Sequence, residues 1–114
     1  MARHDDQVSL RHMLDHAREA MEMARGRRRE ELDTNRALNL SLVRLLEIVG
    51  EAAARVEETT RRKYSGIQWS RIVGLRNRLI HGYDEVDFDV LWKIVSEDVP
   101  TLITELERVV ESDS

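Results

Sequence analysis

The chain has no cysteine, which removes a disulfide framework, a thiolate metal site and a cysteine nucleophile from consideration. Proline occurs once and glycine five times in 114 residues, and only Trp 2, Tyr 2 and Phe 1 supply aromatic rings. So few turn formers and bulky strand residues suit helices joined by short connections, and no β-sheet is expected. No apolar run approaches the ~20 residues that a bilayer-spanning helix needs. The opening Met1-Ala2-Arg3-His4-Asp5-Asp6 lacks the apolar stretch of a secretory signal. A cytoplasmic protein without membrane association is the expectation.

What the chain does have is aliphatic residues and charge. With 41% hydrophobic residues, a chain of this length can bury a core of its own, and a single helical domain over residues 1–114 is expected. The formal net charge of −4 argues mildly against nucleic acid as a ligand, but the charge is unevenly spread. Residues 1–54 carry 9 basic and 10 acidic side chains, residues 55–83 carry 7 and 2, and residues 84–114 carry 2 and 10. An anionic ligand would be drawn to the middle segment.

Apolar spacing places the helices. Leu10, Met13, Leu14, Ala17, Met21 and Ala24 recur at three- and four-residue intervals over Asp6 to Ala24, with Asp5 or Asp6 available as a cap. Gly26 and Arg27-Arg28-Arg29-Glu30-Glu31 then suit a connection or a short extra turn. A second long helix, opened by Asp33 or Thr34, carries a stripe of Leu38, Leu42, Leu45, Leu46, Val49, Ala52, Ala53 and Val56. Within it, Gly50-Glu51-Ala52-Ala53-Ala54 presents small side chains over more than a turn, which lets another helix approach closely. After Arg61-Arg62-Lys63 and Tyr64-Ser65-Gly66, a third helix is expected from near Gln68–Ser70 to Gly82. The last begins around Asp87 with Phe88, Leu91, Ile94, Val95, Leu102, Leu106 and Val109 inward. Pro100 should kink or divide it, and Asp98 could cap the second piece.

The third helix is where the pattern breaks. If residues 69–81 formed one helix, Arg76 would lie about 40° from Ile72, inside the apolar sector of Trp69, Ile72, Leu79 and Ile80. A guanidinium there needs a partner. Two readings stay open and are compatible: Glu51 holds Arg76 as a buried structural pair, or Arg76 lines a cleft and awaits a phosphate. Asn77 and His81 share another face, flanked by Arg78. A lone histidine before a helix-ending glycine is most often a surface or capping residue, and the arginine is what raises its interest. His12 and His16 have i, i+4 spacing but no evident third ligand, so no metal site is expected. Met13, Met21 and Met23 read as core or near-core residues.

Trp69, Gly74-Leu75-Arg76-Asn77, His81-Gly82-Tyr83, Asp87, Trp92, Asp98 and Pro100, with Gly50-Glu51-Ala52-Ala53 upstream, resemble the HepT-like branch of the HEPN superfamily. The resemblance covers residues from about 34 to 106. Its key pattern, Arg, four residues, His, one residue, Tyr, is met without departure by Arg76 to Tyr83.

The resemblance implies an all-α, antiparallel bundle of four to five helices that dimerises around a shared cleft. It further implies a metal-independent, cofactor-free endoribonuclease acting on RNA through the ribose 2′-hydroxyl. Arg76, Asn77 and His81 would be its catalytic residues, with Glu51 in support and Arg61, Arg62, Lys63 and Arg78 as candidate RNA contacts. Proteins of this kind act as toxins beside a minimal nucleotidyltransferase (MNT) antitoxin, which in some systems transfers AMP to the motif tyrosine, here Tyr83. The competing reading is a non-catalytic helical dimer that binds a nucleotidyltransferase or a nucleotide, which overall acidity favours.

Overall fold

The computed structural model describes residues 5–81 and 85–112, with side chains through residue 110. Its first helix, α1 (Asp6–Ala24), is capped by Asp5, whose carboxylate accepts from the Gln7 N–H at 2.9 Å. Leu10, Met13, Leu14 and Ala17 are buried as the spacing requires, while Met21 and Ala24 are half-buried against the same core. Gly26, at φ 73°, takes the left-handed conformation just beyond the helix.

Asp33 and Thr34 do not open the next long helix. Residues Glu31–Thr34 form a short turn of their own, α2, and Asn35 caps α3 (Arg36–Ala54) by accepting from the Leu38 N–H at 3.0 Å. Side-chain competition explains the shift: Arg29 claims the Asp33 carboxylate at 3.0 Å, and burial of Leu32 pins the extra turn to the core. All eight residues of the expected stripe, Leu38 to Val56, are buried. At the head of α1, Asp6 accepts from Thr60 Oγ1 and from the Glu57 N–H, just past the end of α3. The two long helices are therefore antiparallel.

A short helix, α4 (Glu58–Lys63), follows, and residues 69–81 are not one helix. α5 (Trp69–Val73) stops at Gly74, α6 (Leu75–Leu79) restarts, and Ile80–His81 is extended as β1. It pairs antiparallel with β2 (Glu85–Val86), Ile80 opposite Val86 and His81 opposite Glu85. The expectation of no sheet is corrected by this one short pairing. At Gly74 ψ is 7°, far from the helical value of about −42°, so the helix phase is reset there. Close approach by α3 accompanies the break: a Cβ on Gly50 would stand 3.1 Å from the Ile72 carbonyl oxygen. The small residues of the Gly50 segment thus receive a neighbouring backbone, as their size suggests. Gly82, expected to end the third helix, lies outside the described residues.

Asp87 caps α7 (Phe88–Lys93), accepting from the Asp89 and Val90 N–H groups at 3.0 and 3.1 Å. The run continues through a π turn (Ile94–Asp98) into α8 (Val99–Ser112). Pro100 neither divides the run nor calls on Asp98 as a cap. Instead the Val99 N–H donates to Ile94 five residues back, and the widened turn makes room for the proline ring and its missing donor. Among the described residues no helix is long and apolar enough to cross a membrane.

Asp98 has a different task, which ties this run to the α5–α6 pair. Its carboxylate accepts from Arg71 Nε at 3.0 Å and from Arg78 Nη1 at 2.8 Å. Burial alone would raise its pKa, but the two guanidinium hydrogen bonds outweigh that and hold the carboxyl below its ordinary value. The stabilisation is complete above the unfolded pKa, near 3.8, and is lost as pH falls through the lower folded value. Asp98→Asn should therefore cost on the order of 1 kcal/mol at neutral pH and flatten the acid limb of a stability–pH curve from urea unfolding. An unchanged acid limb would remove Asp98 from this role.

Candidate active site

Two buried leucines, Leu75 and Leu79, take the core side of α6, and their i, i+4 spacing turns Arg76 and Asn77 to solvent. Arg76 is thus not in an apolar sector: its side chain is 68% exposed, and its Nε stands 3.5 Å from Glu47 Oε2. The expected partner, Glu51, is itself exposed and is held by Arg44 Nη1 at 3.2 Å. Helix register explains the correction. Gly50 packs on the Ile72 carbonyl, and Glu47, about one turn earlier on α3, is the carboxylate that stands beside Arg76 once the chain restarts after Gly74.

His81 follows from the same restart. Leu79 is fully buried, its carbonyl accepts from the Asp87 N–H at 2.9 Å, and the strand pair holds the backbone beyond it. The imidazole is 61% exposed, with Nε2 3.6 Å from Asp87 Oδ2. Between Arg76 and His81, three helical and two extended steps span about 11 Å of chain path. The guanidinium faces α3 and the imidazole faces the head of α7, so different elements hold the two groups. Tyr83 lies outside the described residues.

The candidate RNA-contact cations divide into two kinds. Arg61 donates to the Val56, Ala53 and Ala54 carbonyls at 3.0, 3.1 and 3.3 Å, and its guanidinium lies 5.8 Å from the Trp69 ring centre. It closes the C-terminal end of α3, where a cation meets the helix dipole. Arg78 is engaged by Asp98. Arg62 stays exposed beside Glu58 at 3.3 Å, and the Lys63 ammonium lies 5.2 Å from the Tyr64 ring centre. Glu47, Asp87 and Asp98 therefore temper the positive charge that the segment's composition suggests.

Sequence reasoning passed over Glu47 and the carboxylate role of Asp87. Glu47 could have been found one turn before Glu51 on the same face of α3, had the register between helices been known. His16 Nδ1 lies 2.7 Å from the His12 carbonyl oxygen, and the two rings stand edge to face with centroids 6.2 Å apart. No group of three histidine or carboxylate side chains among the described residues could hold an ion. Three surface grooves are formed elsewhere, one of them between α5 and α8 beside Arg71, Asp98, Thr101 and Glu105. None of the three takes in Arg76, Asn77 or His81.

Comparison with known proteins points the same way. The family model "Ribonuclease HepT-like" matches residues 13–109. A Methanocaldococcus jannaschii protein named "Putative RNase MJ1380" is 37% identical over 109 residues, covering 96% of this chain and 100% of its own length. A Thermococcus cleftensis protein named "Probable ribonuclease HepT" is 35% identical over 80 residues, covering 70% of this chain and 73% of its own. No solved structure matches significantly. With a predominantly helical fold, an Arg76–His81 motif displayed to solvent and a family match over most of its length, the chain belongs to the HepT-like ribonuclease family.

Proposed function

We propose that this chain is a metal-independent, cofactor-free endoribonuclease toxin of the cytoplasm, acting as a homodimer under the control of an MNT-type nucleotidyltransferase antitoxin. The observation that carries the reading is the exposure of Arg76: with 68% of its side chain accessible and, among the described residues, a single ion pair at 3.5 Å to Glu47, it is available to an incoming phosphate. A guanidinium kept for packing would be covered. Its planar fork suits the non-bridging oxygens of a phosphodiester.

In this mechanism His81 takes the proton of a ribose 2′-hydroxyl, the 2′-oxygen attacks the adjacent phosphorus, and the bond to the 5′-oxygen breaks. The leaving oxygen takes up a proton from an imidazolium. Arg76 stabilises the negative charge that builds on the phosphoryl oxygens, and Asn77 orients the phosphate or the ring. A second protomer supplies the enclosing cleft. Arg62 and Lys63 are the better-placed RNA contacts because both are exposed, whereas Arg61 and Arg78 are half-buried. AMP transfer to Tyr83 would silence the site by adding negative charge and bulk where the RNA phosphate must sit.

The test is a ribonuclease assay on total RNA with EDTA present, using protein whose intact mass shows Tyr83 unmodified. Discrete fragments ending in 2′,3′-cyclic phosphate and 5′-hydroxyl are expected, since 2′-hydroxyl attack produces both. No cleavage by folded, unmodified protein would overturn the nuclease reading in favour of a dimer that binds a nucleotidyltransferase or nucleotide.

A further inference from the structure

The carboxylate of Asp87 is fixed more firmly than its position in a loop suggests. One oxygen, Oδ1, accepts from the Asp89 and Val90 N–H groups as the cap of α7. The Asp87 N–H donates to the Leu79 carbonyl, closing the strand pair that carries His81. Arg29 draws the first turn of α7 to α2 through Asp89. With Oδ1 committed to the helix, Oδ2 is aimed at His81 Nε2, 3.6 Å away. That gap exceeds a hydrogen bond, but rotation of the exposed ring about its side-chain bonds closes it, as catalytic contacts tighten when a substrate is bound.

We propose that Asp87 is the positioning residue of His81: its Oδ2 accepts from the ring Nε2–H, holds the proton on that nitrogen, and leaves Nδ1 to face the RNA as the proton acceptor. A carboxylate has only acceptors to offer, so the neutral ring beside it must be the Nε2–H tautomer. The same residue couples site and scaffold, because one oxygen starts α7 while the other orients the histidine.

The kinetic arm of this inference rests on the nuclease reading, whereas the spectroscopic arm does not. Asp87→Asn discriminates, because asparagine caps a helix as well as aspartate. Capping requires the amide oxygen to face the α7 N–H groups, so the amide NH2 is turned toward His81 and donates to Nε2. The neutral ring should then switch to the Nδ1–H tautomer. Nitrogen-15 spectra of the histidine rings, assigned with His81→Gln, read this directly at a pH where the ring is neutral.

Expected results are Nε2–H in wild type, Nδ1–H in Asp87→Asn, and a kcat lower on the order of tenfold or more with KM within about twofold. Asp87→Ser, which keeps the cap but removes the carboxylate, should lower kcat without imposing the switched tautomer. Glu85→Gln, altered directly across the strand pair from His81, should leave ring and rate unchanged. An unswitched ring in folded Asp87→Asn overturns the proposal, even if activity falls. If wild type cuts no RNA, the nuclease reading fails while the tautomer result still decides the role of Asp87.

Discussion

With His81 replaced by alanine, RNA cleavage should fall by about 10²- to 10⁴-fold, the range that a positioned acid–base group contributes. Stability should change by less than about 0.5 kcal/mol, as is usual for an exposed side chain. The ring is 61% exposed and, among the described residues, its ion-pair contact is the 3.6 Å approach to Asp87, so little packing is lost. Loss of activity without loss of fold is the signature of a chemical role. The measurement pairs kcat/KM on an RNA that wild type cuts with urea unfolding of both proteins. If His81→Ala kept more than about a tenth of wild-type kcat/KM, general acid–base chemistry would have to be assigned elsewhere.

Leu79→Ala should have the largest effect on stability, about 2–5 kcal/mol out of the 5–15 kcal/mol typical of a folded domain. The side chain is fully buried in the main core cluster, and it sits where α6 gives way to the strand carrying His81. Removing its branched end leaves a cavity at the joint that sets the strand's direction. Activity should therefore fall more steeply with temperature than in wild type. Leu40, 51% exposed, supplies the contrast: Leu40→Ala should stay within about 0.5 kcal/mol of wild type. Equal urea midpoints for Leu79→Ala and Leu40→Ala would show that burial at this joint does not govern stability.

Legibility followed length. The stripes of α1 and α3 extend over 19 residues each, enough turns for a helical period to declare which face is buried. Between Trp69 and His81 the elements are only five, five and two residues long, and a period read across them assumes a phase that Gly74 does not preserve. Such a period therefore places Arg76 on the wrong side of its helix, although its candidacy comes from the motif and is unaffected by the change. The acidic partners were harder to see. A carboxylate's partner depends on the register between helices, so the sequence offers Glu51 and gives no sign that Glu47 is the one that meets Arg76.

The amino-acid sequence by itself determined the helical class, the long apolar faces, the close approach at Gly50 and the residue types of the motif, because each depends on local spacing and on side-chain chemistry. Only the tertiary structure decided that α5 and α6 are separate, that Arg76 faces solvent beside Glu47, that Arg61 and Arg78 serve the scaffold, and that Asp87 stands by His81. These depend on contacts between segments distant in sequence. Packing, backbone hydrogen bonds and charge pairing must be satisfied together there, and no local period encodes that compromise.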